Sequence, residues 1–301
     1  MIAPGTAQGV QAGRARTANE AAARVMVPRG LKQLVYDATG IGVAAVMLFP
    51  IYWMIITAFK PGRDILTLQP KWFPAPFTLD NFKDAIARPF FLDDVRNSLV
   101  IVGVMLALAL VIAFLAAVGT ARFGFRGRTA FLVMIIGVQM VPLNALIIPL
   151  YMLLDSAGQV DALPGVIAIY LAVVLPFMIW TLRGFVANIP VELEEAAMID
   201  GCTRTSAFFR ITFPLVGPGL VATAIFGFIQ AWNEYIIAYV LLSSPHNQTL
   251  TVWLASFTTN HGPEWGPLMA AATLTGLPVV AFFLILQRYL AGGLTAGAVK
   301  G

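Results

Sequence analysis

Residues 97–121 read NSLVIVGVMLALALVIAFLAAVGTA, 25 positions without a single charged side chain. About 20 apolar residues, wound as a helix, cross a hydrocarbon core of roughly 30 Å. No water is present in that core to satisfy peptide groups, so a stretch like this one must close its hydrogen bonds internally as a helix. Outward from it, five further runs share the character: 38–59, 129–154, 162–182, 211–241 and 265–287. The expectation is an all-α, polytopic membrane protein with about six transmembrane helices. Composition agrees, at 59% hydrophobic and 11% charged over 301 residues, against roughly 25% charged in soluble domains.

The charged residues mark the topology. Arg14, Arg16, Arg24, Arg29 and Lys32 precede the first run, and Arg122, Arg126 and Arg128 follow the second. Arg183, Arg204 and Arg210 follow the fourth, and Arg288 and Lys300 follow the sixth. Cytoplasmic loops concentrate Lys and Arg, so these segments are expected inside the cell, with both termini. The loop after the first run disagrees, with Lys60, Arg63, Lys71, Lys83, Arg88 and Arg96; the other loops outweigh it. The net charge of +4 is therefore read as topological, with no nucleic-acid partner implied. The expected division is a cytoplasmic tail over 1–37, a permease domain over 38–290 with a cytoplasmic loop at 185–214, and a tail over 291–301. The N-terminal region does not read as a signal peptide, since its first apolar run is too long. The single Cys202 forms no internal disulfide.

One loop carries mechanical information. Residues 185–214 read FVANIPVELEEAAMIDGCTRTSAFFRITFP. Pro190 suits a first helical turn, Glu192, Glu194 and Glu195 favour the positive end of the helix dipole, and Gly201 suits the left-handed stop. A helix of about three turns over 190–200 is expected, followed by a second short helix capped by Thr203 or Thr205 that carries Phe208 and Phe209 toward the fifth run. A helix so short is not stable alone in water. Its small Ala196 and Ala197 beside a cluster of acids suit insertion into a cleft of another protein; the plain alternative is a surface linker.

These residues resemble a known family. Glu195-Ala196-Ala197, then Gly201, then Ile211 and Pro214 match the EAA signature of permease subunits of ATP-binding-cassette importers, E-A-A-x3-G-x9-I-x-L-P, with Phe213 in place of leucine. LFPIYWMIITAFK (48–60), WFPAPFTLDNF (72–82), NSLVIV (97–102), PLNALIIPLYMLL (142–154), AWNEY (231–235) and GGLTAGAVKG (292–301) extend the likeness to the carbohydrate-uptake branch, in particular to the permease half related to the maltose system's second membrane subunit. The resemblance implies a type I importer permease fold and a place in the prokaryotic inner membrane. It implies a heterodimer with a homologous permease, two cytoplasmic ATPase subunits that hold ATP and Mg, and an extracytoplasmic sugar-binding protein. This chain itself would bind no cofactor. Glu195, Ala196, Ala197, Asp200, Gly201, Ile211 and Pro214 would couple to the ATPase. The tail residues Gly293, Leu294, Thr295, Gly297 and Lys300 would make a second contact with it.

Other residues stand out by themselves. Glu234 is the only acid well inside an apolar run, which marks it as a functional candidate. Gln230, Trp232, Asn233 and Tyr235 surround it with the aromatic and polar groups that sugars use. Gln139 and Asn144, in the third run, fit either cavity lining or hydrogen-bonded contacts between helices. Seven prolines in or near the runs suit kinked helices. His246 and His261 lack metal-ligand spacing, and no metal is assigned. There is no phosphate-binding G-x-x-x-x-G-K-[S/T], no H-E-x-x-H and no G-x-S-x-G, so the chain is not read as an ATPase, zinc hydrolase or serine hydrolase. An ion-driven transporter would more often show internal repeats and several midplane acids, and neither is found.

Overall fold

The computed structural model describes residues 29–297; side chains are described for 30 and for 32–289. The described residues fall into two units, divided at Trp53/Met54. The first unit holds the opening part of helix α1 (Arg29–Ala58), where Phe49 and Trp53, one turn apart, bring their ring centroids to 6.0 Å. The helix thus begins inside the stretch expected to be a tail, and residues 1–28 lie outside the described residues.

The second unit begins with the end of α1 and continues through α2 (Asp80–Ala87), α3 (Phe91–Arg122), α4 (Arg128–Gln139), α5 (Ile147–Ser156) and α6 (Leu163–Ala187). A short α7 (Glu192–Ile199) and α8 (Arg204–Ala207) lead through a π turn at Phe208–Thr212 into α9 (Phe213–Trp232). Then come α10 (Ile236–Leu241), α11 (Leu250–Ala255), a two-strand hairpin of β1 (Thr258–Thr259) with β2 (Gly262–Pro263), and α12 (Trp265–Gly297). Among the described residues five helices are long and apolar enough to span a membrane, those at 32–58, 91–122, 163–187, 204–232 and 265–289, and the bent pair at 128–139 and 143–156 makes up to six.

Two of the expected runs are not continuous helices. In the third, α4 and the 143–156 segment are bent by 89°. The break holds Pro142, which has no N–H to give, and a single 3-10 turn at Leu143–Leu146. The fifth run stops at Trp232, and 236–241 is a separate helix. By contrast Pro50, Pro176, Pro218 and Pro278 lie inside helices. The expected C-terminal tail begins as the last turns of α12, which runs to Gly297.

The core forms where α3 lies along α6, with α9 against both and against α12. On α3 the buried positions include Ile101, Met105, Ala109, Ala113 and Ala117. They recur at four-residue steps and make one face. Lipid tails are as apolar as leucine, so helices in a bilayer associate by close packing and hydrogen bonds, and small residues let backbones approach. Gly219 of α9 shows how close: a Cβ there would lie 2.5 Å from Cγ of Phe185 on α6.

Candidate functional site

The loop between α6 and α9 is built as the residue types require. Asp200, Gly201 and Cys202 donate their backbone N–H groups to the carbonyls of Ala196, Met198 and Ala197. The last two bonds are the paired closure of a Schellman motif, and Gly201 takes the left-handed conformation at φ +93°. Thr203, of the two candidate caps, is the one used: its hydroxyl accepts from the Ser206 N–H at 3.2 Å. Glu195, Ala196, Asp200 and Gly201 face outward, Ala197 and Ile211 are half-buried and Pro214 is exposed. Ile199 is 87% exposed, so an outward apolar side chain stands beside the acids.

The acid next to the motif behaves differently. Glu194 is the one residue of α7 that is buried. Its Oε1 accepts from the Thr212 hydroxyl at 2.6 Å and lies 3.2 Å from a terminal nitrogen of Arg122. That same nitrogen donates to the Ile189 carbonyl at 3.0 Å. The Arg122 and Glu194 side chains are only 9% and 10% exposed. Removing one partner of such a pair leaves a charge buried without compensation, at about 3–5 kcal/mol. Sequence reading missed this cluster, since Arg122 counted only as a topology marker and nothing in a spacing of 72 positions joins it to Glu194. A cavity of about 330 Å³ adjoins it, lined by Val118, Phe123, Val191, Arg204 and Phe208 among others.

A larger cavity, about 730 Å³, opens at the bend between α4 and α5. It is floored by α6 from Ala168 to Phe177 and reaches Phe226 and Gln230 on α9. Its walls are mostly apolar; Gln139 and Gln230, two of the expected pathway residues, line it and are both exposed. Phe177 and Phe226 stack at 3.7 Å between centroids on one wall.

The remaining pathway candidates are not brought to this cavity. Trp232 is 4% exposed, stacks on Phe228 at 5.3 Å, and donates its indole N–H to the Thr275 carbonyl at 3.1 Å. Asn233 turns back to donate to the Ile229 carbonyl at 2.8 Å. Tyr235 stacks on Tyr239 at 5.4 Å, and Asn144 is exposed in the 3-10 turn. Glu234 accepts from the Ile237 and Ala238 N–H groups, at 2.9 and 3.2 Å, and from the Tyr170 phenol at 2.8 Å. The two N–H groups are orphan donors at the start of α10, so the carboxylate caps that helix. Of the expected tail contacts, Gly293, Leu294, Thr295 and Gly297 fall in the last turns of α12, and Lys300 lies outside the described residues. Among the described residues no cluster of His, Cys, Asp and Glu has metal-site spacing.

Residues 109–295 match the family described as binding-protein-dependent transport system inner membrane component. Among curated relatives, the diacetylchitobiose uptake system permease protein DasC of Streptomyces coelicolor is 45% identical over 85% of this chain and 92% of its own length. The trehalose/maltose transport system permease protein MalG of Thermococcus litoralis is 32% identical over 90% of this chain and 98% of its own. Among solved structures, a chain of a bacterial ABC transporter involved in the import of the acidic polysaccharide alginate superposes with a TM-score of 0.73 at 20% identity. It covers 88% of this chain and 99% of its own.

Proposed function

Since the chain belongs to the family of binding-protein-dependent transport system inner membrane components, we propose that it forms half of the translocation pathway of an ATP-driven sugar importer and couples to the ATPase through the loop at 185–214. The observation that carries this is the division of labour on α7. Glu194 holds the helix from within, while Glu195, Ala196, Ile199 and Asp200 face away from the chain. An acidic, small-residue surface with one protruding aliphatic side chain fits a cleft in a partner. A helix end held by a Schellman closure keeps that surface in one shape.

The partners follow from this role: a homologous permease that completes the cavity, two ATPase subunits that carry ATP and Mg, and an extracytoplasmic binding protein that delivers the solute. The arginines flanking the second, fourth and sixth runs support placing the loop and both termini in the cytoplasm. Sugar is favoured as the solute by the relatives named for diacetylchitobiose and for trehalose and maltose. In the 730 Å³ cavity, the amides of Gln139 and Gln230 suit hydroxyl groups, and Phe177 and Phe226 suit the C–H face of a sugar ring. ATP binding would close the ATPase pair and shift α7, the bundle would open outward to accept the sugar, and hydrolysis would reset it.

The experiment is reconstitution of the chain with its permease partner, ATPase and binding protein in proteoliposomes. Sugar uptake that requires ATP inside and binding protein outside is the expected result. Uptake that persists without ATP and collapses with an uncoupler would overturn the reading.

A further inference from the structure

Resting on that coupling role, we propose that Arg122, Glu194 and Thr212 act as positioning residues: a brace that makes α7 move as one body with α3 and α9, and so sets how much sugar each ATP carries. Three elements meet at one carboxylate oxygen. Arg122, the last residue of α3, reaches it at 3.2 Å. The hydroxyl of Thr212, the last residue of the π turn that opens α9, reaches it at 2.6 Å. The same Arg122 nitrogen holds the Ile189 carbonyl, on the other side of Pro190, at 3.0 Å.

Helix α7 fully buries one side chain, the charged Glu194, with Ala197 half-buried, and it packs on α8 and the π turn. Next to it is the cavity of about 330 Å³, bounded by Val118, Phe123 and Phe208. A helix beside open space that buries a single side chain has room to tilt without carrying its neighbours. With the brace closed, displacement of α7 is passed on to the ends of two membrane helices at once. The π turn contributes the alignment. Phe213 donates to the carbonyl of Phe208, five residues back, and the extra residue in that turn sets which face Thr212 presents.

Loosening the brace should therefore separate hydrolysis from transport. The test uses the reconstituted complex with Arg122→Met, Glu194→Gln and the nearly isosteric Thr212→Val, which removes one hydroxyl and keeps the fold. The readouts are ATPase co-purification, the hydrolysis rate, and sugar moved per ATP. Thr212→Val is expected to assemble as the wild type does and the two charge variants in lower yield, with each assembled complex hydrolysing ATP close to the wild-type rate. Sugar moved per ATP should fall by about tenfold for the two charge variants, within the range of a coupling free energy between two sites, and by less for Thr212→Val. An unchanged ratio in Thr212→Val and Glu194→Gln would overturn the brace. So would a parallel loss of uptake and hydrolysis that follows the yield of complex. A wild-type chain that recruits no ATPase would overturn the functional reading as well, which keeps the two failures apart.

Discussion

Tyr170 on α6 donates its phenolic O–H to the carboxylate of Glu234 at 2.8 Å, and this bond ties the packed centre of the bundle to the point where α9 stops. Tyr170 is 3% exposed, so its hydroxyl has no water to turn to. Glu234 also accepts from two N–H groups of α10, and its backbone carbonyl accepts from the Thr251 hydroxyl at 2.7 Å. An acid in an apolar run is a pathway candidate by default, and the three hydrogen bonds this carboxylate accepts within the chain give it a structural role as well.

Tyr170→Phe is accordingly expected to lower stability by about 1–3 kcal/mol, the scale of a buried hydrogen bond lost from one side. Glu234→Ala should cost more, since it removes a helix cap and orphans the phenol. Thermal melting of the purified complex in detergent measures both. Sugar affinity in the folded fraction should stay at the wild-type value. A Glu234→Ala protein that melts normally but has an altered KM would return the acid to the pathway.

Gly201 gives a prediction in which neighbouring side chains play no part. A Cβ at this position would meet nothing within 4 Å, so any cost arises from φ +93° alone. Gly201→Ala should weaken the closure of α7 by roughly 1 kcal/mol, and Gly201→Asn by less, because asparagine tolerates the left-handed region. ATPase co-purification should rank Gly, then Asn, then Ala. An equal yield for all three would show that the closure does not matter to docking.

The spans were legible because 25 uncharged residues in a row admit few structures, and the short loop helix was legible because proline, acids and glycine mark its two ends. What was not legible depended on partners distant in sequence. Glu234 reads as a buried charge; its capping role appears only when Ile237, Ala238 and Tyr170 are placed around it. Even so, its spacing of three and four residues from those two N–H groups is a local capping pattern, and that signal was present. Arg122 and Glu194 carried no such signal, because each sits in a charged loop segment that reads as solvated. For Trp232 an indole beside polar residues suggests a sugar platform, and its bond to the distant Thr275 carbonyl carries no signal in the sequence.

The loop between α5 and α6 gives a pH dependence. Burial pushes the Asp161 carboxyl up, but hydrogen bonds from Ser244, Asn247 and Ser243 outweigh it and hold the group below its usual value. The Ser244 N–H donates to it at 2.9 Å. A group with a depressed folded value binds fewer protons folded than unfolded, so it adds stability above the unfolded value of about 3.9. That contribution is lost as pH falls from there through the lower folded value. Melting of the wild type should decline over that acidic window, and Asp161→Asn should melt lower near neutral pH with a flatter acid limb. Parallel pH curves for the two proteins would refute the assignment.

The cavity at the α4–α5 bend sets the proposed pathway positions apart from those packed into the fold. Gln139 and Gln230 are both exposed on its wall. If the solute passes along this wall, each amide contributes about one hydrogen bond to it, on the order of 1 kcal/mol. Gln139→Leu and Gln230→Leu should then raise the KM for uptake by roughly fivefold each, and the two effects should multiply if the residues meet different hydroxyls. Melting temperature and ATPase co-purification should not move, since neither amide is buried in the core. Trp232→Phe supplies the opposite pattern. It leaves the Thr275 carbonyl without its indole donor, so melting should fall while KM holds. Uptake measured against sugar concentration, beside melting of the same preparations, distinguishes the two classes. Glutamine variants with wild-type KM would place the solute elsewhere, on the surface contributed by the partner permease.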